Sequence, residues 1–235
     1  KMTRIEKINS YYEKNMAELE RIHGILNNSL DKNVNADNYK ILGWESRQAQ
    51  YARFAAFLKN VDLEGKSLLD VGCGLGDLYH FLTTGFNKSV KYVGIDISEK
   101  MIQIAKNQLD ILKKNGVVLP EGNLSTVQFV KADIFSKDEF ICSDKSFDWL
   151  YSSGIFNLNL GNNLEFLENA FNRFSKIAKE GFCCSMLNVR SKDKESPYFY
   201  YSPEEVFTLA KKYGAKDVLI VDDYLENDFT IVAKL

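Results

Sequence analysis

The sequence predicts an α/β fold: a doubly wound, mostly parallel sheet with helices on both faces, preceded by an N-terminal helical extension. Two observations predict the sheet. From residue 66 onward, short apolar runs alternate with amphipathic helical segments, a pattern typical of parallel strands joined by helices. The last two apolar runs, 217–221 and 229–235, have no helix between them, so the final strand is expected to run antiparallel.

The individual strands are short apolar runs bounded by glycine, polar or charged residues. They are predicted over 67–71, 91–95, 127–131, 147–151, 182–189, 217–221 and 229–235. The helices between them carry apolar residues at spacings of three and four. They are predicted over 77–84, from a Ser98 cap to 112, over 164–178, and onward from the start signature Ser202-Pro203-Glu204-Glu205.

The first 60 residues have a different pattern. Apolar residues at helical spacing predict one helix over 5–26 and a second over 46–58, with a polar, Asn-rich stretch between them. We therefore divide the chain into an N-terminal helical cap, 1–60, and a catalytic domain, 61–235. The helices are interpreted as packing against the main domain, as a lid over a ligand site, or as a dimer interface.

Composition limits the class of protein. With 235 residues, 45% of them hydrophobic, the chain is long enough for one domain with an appendage. The balance of 30 basic against 32 acidic residues does not suggest a nucleic-acid binder. No apolar run approaches the ~18 residues of a membrane span, and no signal sequence opens the chain. The four cysteines show no C-x-x-C spacing. We expect a cytoplasmic monomer or homodimer without a metal.

The strongest motif is the glycine-rich turn Asp70-Val71-Gly72-Cys73-Gly74-Leu75-Gly76-Asp77, which joins the first strand to a helix. Glycine adopts positive φ without strain, and its missing side chain lets a ligand lie against the backbone. Taken alone, such a turn is also compatible with a plain strand–helix corner that binds nothing. The motif therefore needs support from the neighbouring strand ends.

Two acids supply that support. Asp96 ends the second strand, 20 residues after Gly76, which is the placement of an acid that binds ribose hydroxyls. Asp133 follows the third strand. Ligands of parallel sheets bind outside the carboxyl ends of the strands, where all three features meet. Asp77 occupies the sixth position, where a dinucleotide fingerprint has glycine, and would repel a pyrophosphate. A ligand without phosphate is favoured over a nicotinamide dinucleotide.

The pattern Asp70-x-Gly72-x-Gly74-x-Gly76, then Asp96, then Asp133 resembles that of class I S-adenosylmethionine-dependent methyltransferases, over about residues 40–235. The resemblance implies a Rossmann-like seven-stranded sheet in the order 3-2-1-4-5-7-6, the last strand antiparallel. It also implies that Asp96 binds the ribose hydroxyls and that Asp133 lies by the adenine amino group. The other cofactor-binding residues that it implies are Asp70, Gly72, Cys73, Gly74, Gly76, Ile97, Met101, Ile134 and Ser152.

In that family the loop after the fourth strand faces the methyl acceptor, which implies roles for Ser153, Phe156 and Asn157 in acceptor binding. This loop lacks the proline-containing tetrapeptide of nucleic-acid amino methyltransferases. Loops after the fifth strand and between the last two strands emerge on the same edge. They add Asn188, Tyr200 and Tyr224 as candidate acceptor residues. Phe156 has the alternative of a core aromatic, and the tyrosines that of ordinary surface residues.

Two residues of the N-terminal part are further candidates for the cofactor site. Trp44 is interpreted as packing on the cofactor or acceptor, or in the core. Arg53 is interpreted as a partner of the methionine carboxylate, or as a member of a helix salt bridge. Neither His23 nor His80 lies at a strand end, so no general base is assigned.

The predicted reaction is an in-line methyl transfer from S-adenosylmethionine to a small-molecule acceptor, which leaves S-adenosylhomocysteine and depends mainly on alignment of the reactants. One alternative is a non-catalytic S-adenosylmethionine-binding sensor or partner subunit. A less favoured alternative is a nicotinamide-dependent oxidoreductase.

Overall fold

A computed structural model describes residues 2–23, 38–83, 89–115, 127–136 and 143–235. The strands form one seven-stranded sheet in the order β3-β2-β1-β4-β5-β7-β6, as predicted. Strand β7 is antiparallel to both of its neighbours. The strands are β1 (Ser67–Val71), β2 (Lys91–Asp96), β3 (Gln128–Lys131), β4 (Phe147–Ser153), β5 (Ala178–Leu187), β6 (Asp217–Val221) and β7 (Asp228–Lys234).

Seven helices occur in the described part of the chain. They are α1 (Arg4–His23), α2 (Asn38–Ile41), α3 (Arg47–Leu58), α4 (Asp77–Phe81), α5 (Glu99–Lys114), α6 (Asn163–Ile177) and α7 (Pro203–Lys212). None of these is long and apolar enough to cross a membrane. The asparagine-rich linker and the predicted end of the first helix fall outside the described residues.

The two faces of the sheet carry separate apolar cores. Helices α3, α4 and α5 pack on one face, where Leu68 and Tyr92 point, and α6 and α7 pack on the other, where Leu69 and Leu150 point. Successive strand residues alternate between these faces because the side-chain period of a strand is two. The doubly wound prediction is therefore confirmed.

Several element boundaries differ from those predicted, among them those of β4 and β5. Strand β4 continues through Ser153, since Ser152 and Ser153 pair with Cys184 and Ser185 of β5. These two serines therefore belong to the strand and not to the loop after it. Helix α6 passes directly into β5 at Ala178, so β5 begins earlier than expected and ends at Leu187.

Helix α1 lies over the edge of the sheet where the parallel strands end. Its start is a capping box, in which Thr3 and Glu6 exchange backbone–side-chain hydrogen bonds. Lys7 Nζ donates to the Leu160 carbonyl at 3.1 Å. Met16 is buried against Ile41, in a cluster that also holds Leu75 and Met101. These contacts hold the helix against the domain.

Candidate functional site

A cavity of about 980 Å³, counting its open mouth, lies at the carboxyl ends of β1 to β4 beneath α1. The residues lining it come from the glycine-rich turn, the ends of the strands, the segment before α3, and helices that include α1, α3, α5 and α6. The sequence-predicted residues among them are Trp44, Asp70, Gly72, Cys73, Gly74, Asp96, Ile97, Met101, Asp133, Ile134 and Ser153.

The glycine-rich turn is held by the second strand. The Gly72 and Cys73 amides donate to the Ile95 carbonyl at 2.8 and 2.9 Å. Gly76 has a φ of 83°, and a Cβ there would sit 2.8 Å from the Phe129 ring. Only glycine fits this left-handed position against the ring. Gly76 therefore lets the turn pack against the Phe129 ring, and it does not line the cavity.

The Asp96 carboxylate is fixed by two backbone amides. Its Oδ1 accepts from the Ser98 amide at 2.9 Å and its Oδ2 from the Gly74 amide at 3.1 Å. Burial raises the pKa of Asp96, and these hydrogen bonds oppose that rise. A carboxylate has about four lone-pair sites, so both oxygens keep capacity to accept from a ligand.

Asp133 lies on the other side of the cavity, after β3. Its Oδ1 accepts from the Phe135 amide at 3.0 Å. Its Oδ2 forms an ion pair with Arg4, the first residue of α1. The neighbouring Ile134 is buried and lines the cavity. The two strand-end acids thus lie on one cavity, as expected from the sheet topology.

Asp70 is a buried carboxyl beneath the glycine-rich turn. The Tyr92 hydroxyl donates to its Oδ2. Desolvation by burial raises the pKa of Asp70 to about 7, and the charges of Asp96 and Asp77 add to the rise, while the Tyr92 hydrogen bond opposes it. The neighbouring Cys73 thiol, whose own pKa is raised well above its ordinary value mainly by burial, stays neutral.

Replacement of Asp70 with Asn is expected to remove a pH-dependent loss of stability. Because the folded-state pKa of about 7 exceeds the ordinary 3.8, the folded chain holds a proton that the unfolded chain has lost. The free energy of unfolding therefore falls as pH rises between these values. The free energy of unfolding of wild type should therefore fall by about 2–3 kcal/mol more than that of D70N between about pH 5 and about pH 8. Urea unfolding at several pH values measures this difference.

The matched control for this prediction is Asp110→Asn on the exposed side of α5. It should show the pH dependence of the wild type. Parallel stability curves for wild type and D70N across this pH range would contradict the assignment of a raised pKa to Asp70.

Arg53 does not line the cavity. It forms a buried ion pair with Asp228 at the start of β7, and its guanidinium lies 4.1 Å from the Trp44 ring. Its Nη1 is buried without a hydrogen-bond partner among the described residues. Trp44 does line the cavity, next to Gly154. Arg53 thus packs against the Trp44 ring outside the cavity lining. Its ion-pair partner, Asp228, lies on a strand far along the chain and not on its own helix.

Several other predicted residues lie outside the cavity lining. Ser152 is buried, and its hydroxyl donates to the Val71 carbonyl at 2.9 Å, which ties β4 to the glycine-rich turn. Phe156 is fully buried in the core, where it packs against Phe166 and Phe174. The structure does not bring either side chain to the cavity surface.

The loop residues also have local partners. Asn188 accepts from the Arg190 amide at 3.0 Å, and the Tyr200 hydroxyl accepts from the Glu195 amide at 2.9 Å. Tyr224 shares a hydrogen bond with Thr230 at 2.7 Å. The Asn157 Oδ1 is buried without a hydrogen-bond partner in the described part of the chain. The structure does not bring these four to the cavity, so their role in acceptor binding stays a prediction.

The cavity also contains residues that were not predicted for it. Helix α1 contributes Arg4, Ile8 and Tyr12, spaced four apart, and α3 contributes Gln50 and Phe54. Ile8 and Tyr12 belong to the apolar face of the first predicted helix, so this helical spacing was the sequence feature that could have located them. Burial, followed by the charge of Asp96, raises the pKa of the Tyr12 hydroxyl, which keeps it protonated.

Comparison with known proteins identifies the family. The model of a methyltransferase domain matches residues 62–223. A candidate methyltransferase of Mycobacterium tuberculosis is 28% identical over 179 residues, which cover 72% of this chain and 92% of that protein. The demethylmenaquinone methyltransferase of Lactococcus lactis is 32% identical over 123 residues, 51% of this chain and 47% of its own length. This chain thus spans about half of that enzyme.

Solved structures show the same fold. An S-adenosylmethionine-dependent methyltransferase from Aquifex aeolicus superposes with a TM-score of 0.53 at 21% identity, covering 77% of this chain and 88% of that one. The family match covers more than half of the chain and includes the glycine-rich turn and both strand-end acids. The chain therefore belongs to the methyltransferase-domain family, and it is an S-adenosylmethionine-dependent methyltransferase.

Proposed function

We propose that this methyltransferase acts on a small-molecule acceptor held in the cavity beneath α1. The observation that carries the proposal is that α1 covers the cavity. Many of the lining residues are apolar, among them Ile8, Leu42, Trp44, Ile155 and Leu158. Arg4, Gln50, Asp70 and Asp77 add polar and charged groups to those of the two strand-end acids. A cavity that is covered by a helix and lined in large part by apolar side chains fits a small molecule better than a segment of polymer. In this proposal residues 1–60 act as the cap of the catalytic domain.

The residues present fit S-adenosylmethionine. A Cβ at Gly74 would project to within 2.8 Å of Leu42, so the bare glycine backbone keeps this part of the cavity open. Asp96 retains acceptor capacity for the two ribose hydroxyls, and Asp133 for the adenine amino group. Ile97, Met101 and Ile134 would supply apolar contacts to the adenine, as the sequence predicts. The glycine-rich turn would hold the methionine end.

The cofactor, when bound, supplies a methyl group on a positively charged sulfur. We expect this chain to bind the two reactants, align them and exclude water. Among the described residues, the side chains that line the cavity include no histidine or lysine. Cys73 and Tyr12 both stay protonated, for the pKa reasons given above. We assign no general base and expect alignment of the reactants to supply most of the rate.

The relatives suggest where to look for the acceptor. The name of the Lactococcus lactis enzyme specifies demethylmenaquinone, a quinone-type ring. A flat ring of this kind would be compatible with an apolar cavity that presents the indole of Trp44. Aromatic and quinone-type molecules are therefore the first acceptors to test.

The test is release of S-adenosylhomocysteine with a panel of such acceptors, together with mass spectrometry of the products. We expect turnover with at least one small molecule and a product heavier by one methyl group. Protein that carries the cofactor through purification but turns over no member of the panel, and no fractionated metabolite extract, would contradict the proposal. That result would favour the sensor alternative.

A further inference from the structure

Arg4 contacts the adenine side of the proposed cofactor site at three points. Its guanidinium forms an ion pair with Asp133 Oδ2. Its central carbon lies 4.8 Å from the centre of the Phe135 ring and 5.1 Å from that of Phe166. All four residues line the cavity. The side chain therefore reaches from the first turn of α1 into the space beside the strand-end acid.

This arrangement has the chemistry of an adenine contact. A guanidinium is planar, packs on aromatic rings and donates N–H groups from its edge. The amino edge of adenine is likewise planar and donates N–H groups. Asp133 Oδ1 already accepts from the Phe135 amide, so Oδ2 is the oxygen that is better placed for an additional donor. Arg4 and an adenine ring would therefore compete for the same oxygen and the same aromatic surface.

We propose that the Arg4 side chain occupies the adenine subsite in the absence of cofactor. The cofactor must displace this side chain in order to bind, so Arg4 lowers the affinity for the cofactor. The proposal rests on the placement of adenine at Asp133 given above. Displacement needs only a swing of one side chain at the helix start. The rest of α1 keeps its own ties, namely Lys7 to the Leu160 carbonyl, Tyr11 to Tyr198, and Asn15 to the Ile41 carbonyl.

The test is the dissociation constant of S-adenosylhomocysteine, measured by titration calorimetry for wild type and Arg4→Met. Methionine keeps an unbranched apolar side chain but neither the charge nor the N–H groups. We expect R4M to bind roughly 5- to 30-fold more tightly, as removal of a partly buried ion pair with an aromatic contact implies. Arg4→Lys, which keeps the charge without the planar group, should lie between the two. Adenosine should show the same order.

The control is Lys14→Ala, which removes a positive charge from the exposed side of α1 and should leave affinity unchanged. Unchanged or weaker binding by R4M, with native circular dichroism, would overturn the proposal. Asp133→Asn, introduced into R4M and compared with R4M so that no ion pair competes, separates this failure from failure of the proposed cofactor placement. If Asp133→Asn weakens binding while R4M does not strengthen it, only the Arg4 proposal fails. If Asp133→Asn has no effect, the adenine placement fails and the Arg4 proposal fails with it.

Discussion

Replacement of Asp96 with Ala is expected to weaken cofactor binding by at least ~100-fold. Two ribose hydroxyls would lose a charged acceptor, and hydrogen bonds to charged groups contribute about 1.5–3 kcal/mol each. The Gly74 and Ser98 amides would also lose the carboxylate that now accepts from them. The glycine-rich turn would then be held less firmly against the end of β2. Calorimetric titration with S-adenosylhomocysteine measures the loss.

Two further variants sharpen this prediction. Asp96→Asn keeps one oxygen and the shape of the side chain, so its binding should fall between those of wild type and Asp96→Ala. Asp110→Ala removes an exposed carboxylate from α5 and should bind like the wild type. Affinity near that of the wild type for Asp96→Ala would show that the ribose does not lie at this acid.

Arg53→Met is expected to have the largest effect on stability, a loss of about 3–5 kcal/mol in the free energy of unfolding. Asp228 is 2% exposed, so removal of the guanidinium leaves a buried carboxylate without its charged partner. Burial already raises the pKa of Asp228, and Arg53 opposes that rise. Urea unfolding at neutral pH measures the loss.

The double variant Arg53→Met/Asp228→Leu completes the cycle. It removes both charges and should recover most of the lost stability, because a buried ion pair can often be replaced by apolar side chains at little cost. A loss below about 1 kcal/mol for Arg53→Met alone would contradict the ion-pair account. If the stable double variant binds S-adenosylhomocysteine as tightly as wild type, Arg53 does not hold the methionine carboxylate.

The number and direction of the strands follow from local pattern and from general rules of connection, whereas their order was implied by the family resemblance. Each apolar run is short, each helix between runs is amphipathic, and the terminal pair lacks a helix, which predicts the antiparallel β7 confirmed in the sheet. The strand ends were less predictable. Ser152 and Ser153 are polar and look like a loop, but pairing with β5 extends β4 through them. Such pairing is a tertiary effect that one segment does not encode alone.

The candidate site likewise has residues that the sequence could place and residues that it could not. Topology alone brings Asp96, Asp133 and the glycine-rich turn to one edge, so the sequence was sufficient to place them on one cavity. Loop side chains such as Tyr200 and Tyr224 depend on the fold of each loop, where each finds a local partner. The position of Arg4 depends on how α1 packs across the domain, a contact between residues far apart in the chain.

We propose that methyl groups pass from S-adenosylmethionine to a small molecule in the cavity beneath α1. The most direct measurement is the fate of a radiolabelled methyl group when the protein is incubated with a cell extract separated into low-mass and macromolecular fractions. The account predicts label in the low-mass fraction with wild type and none with Asp96→Ala. Label that appears only in protein or nucleic acid would contradict it.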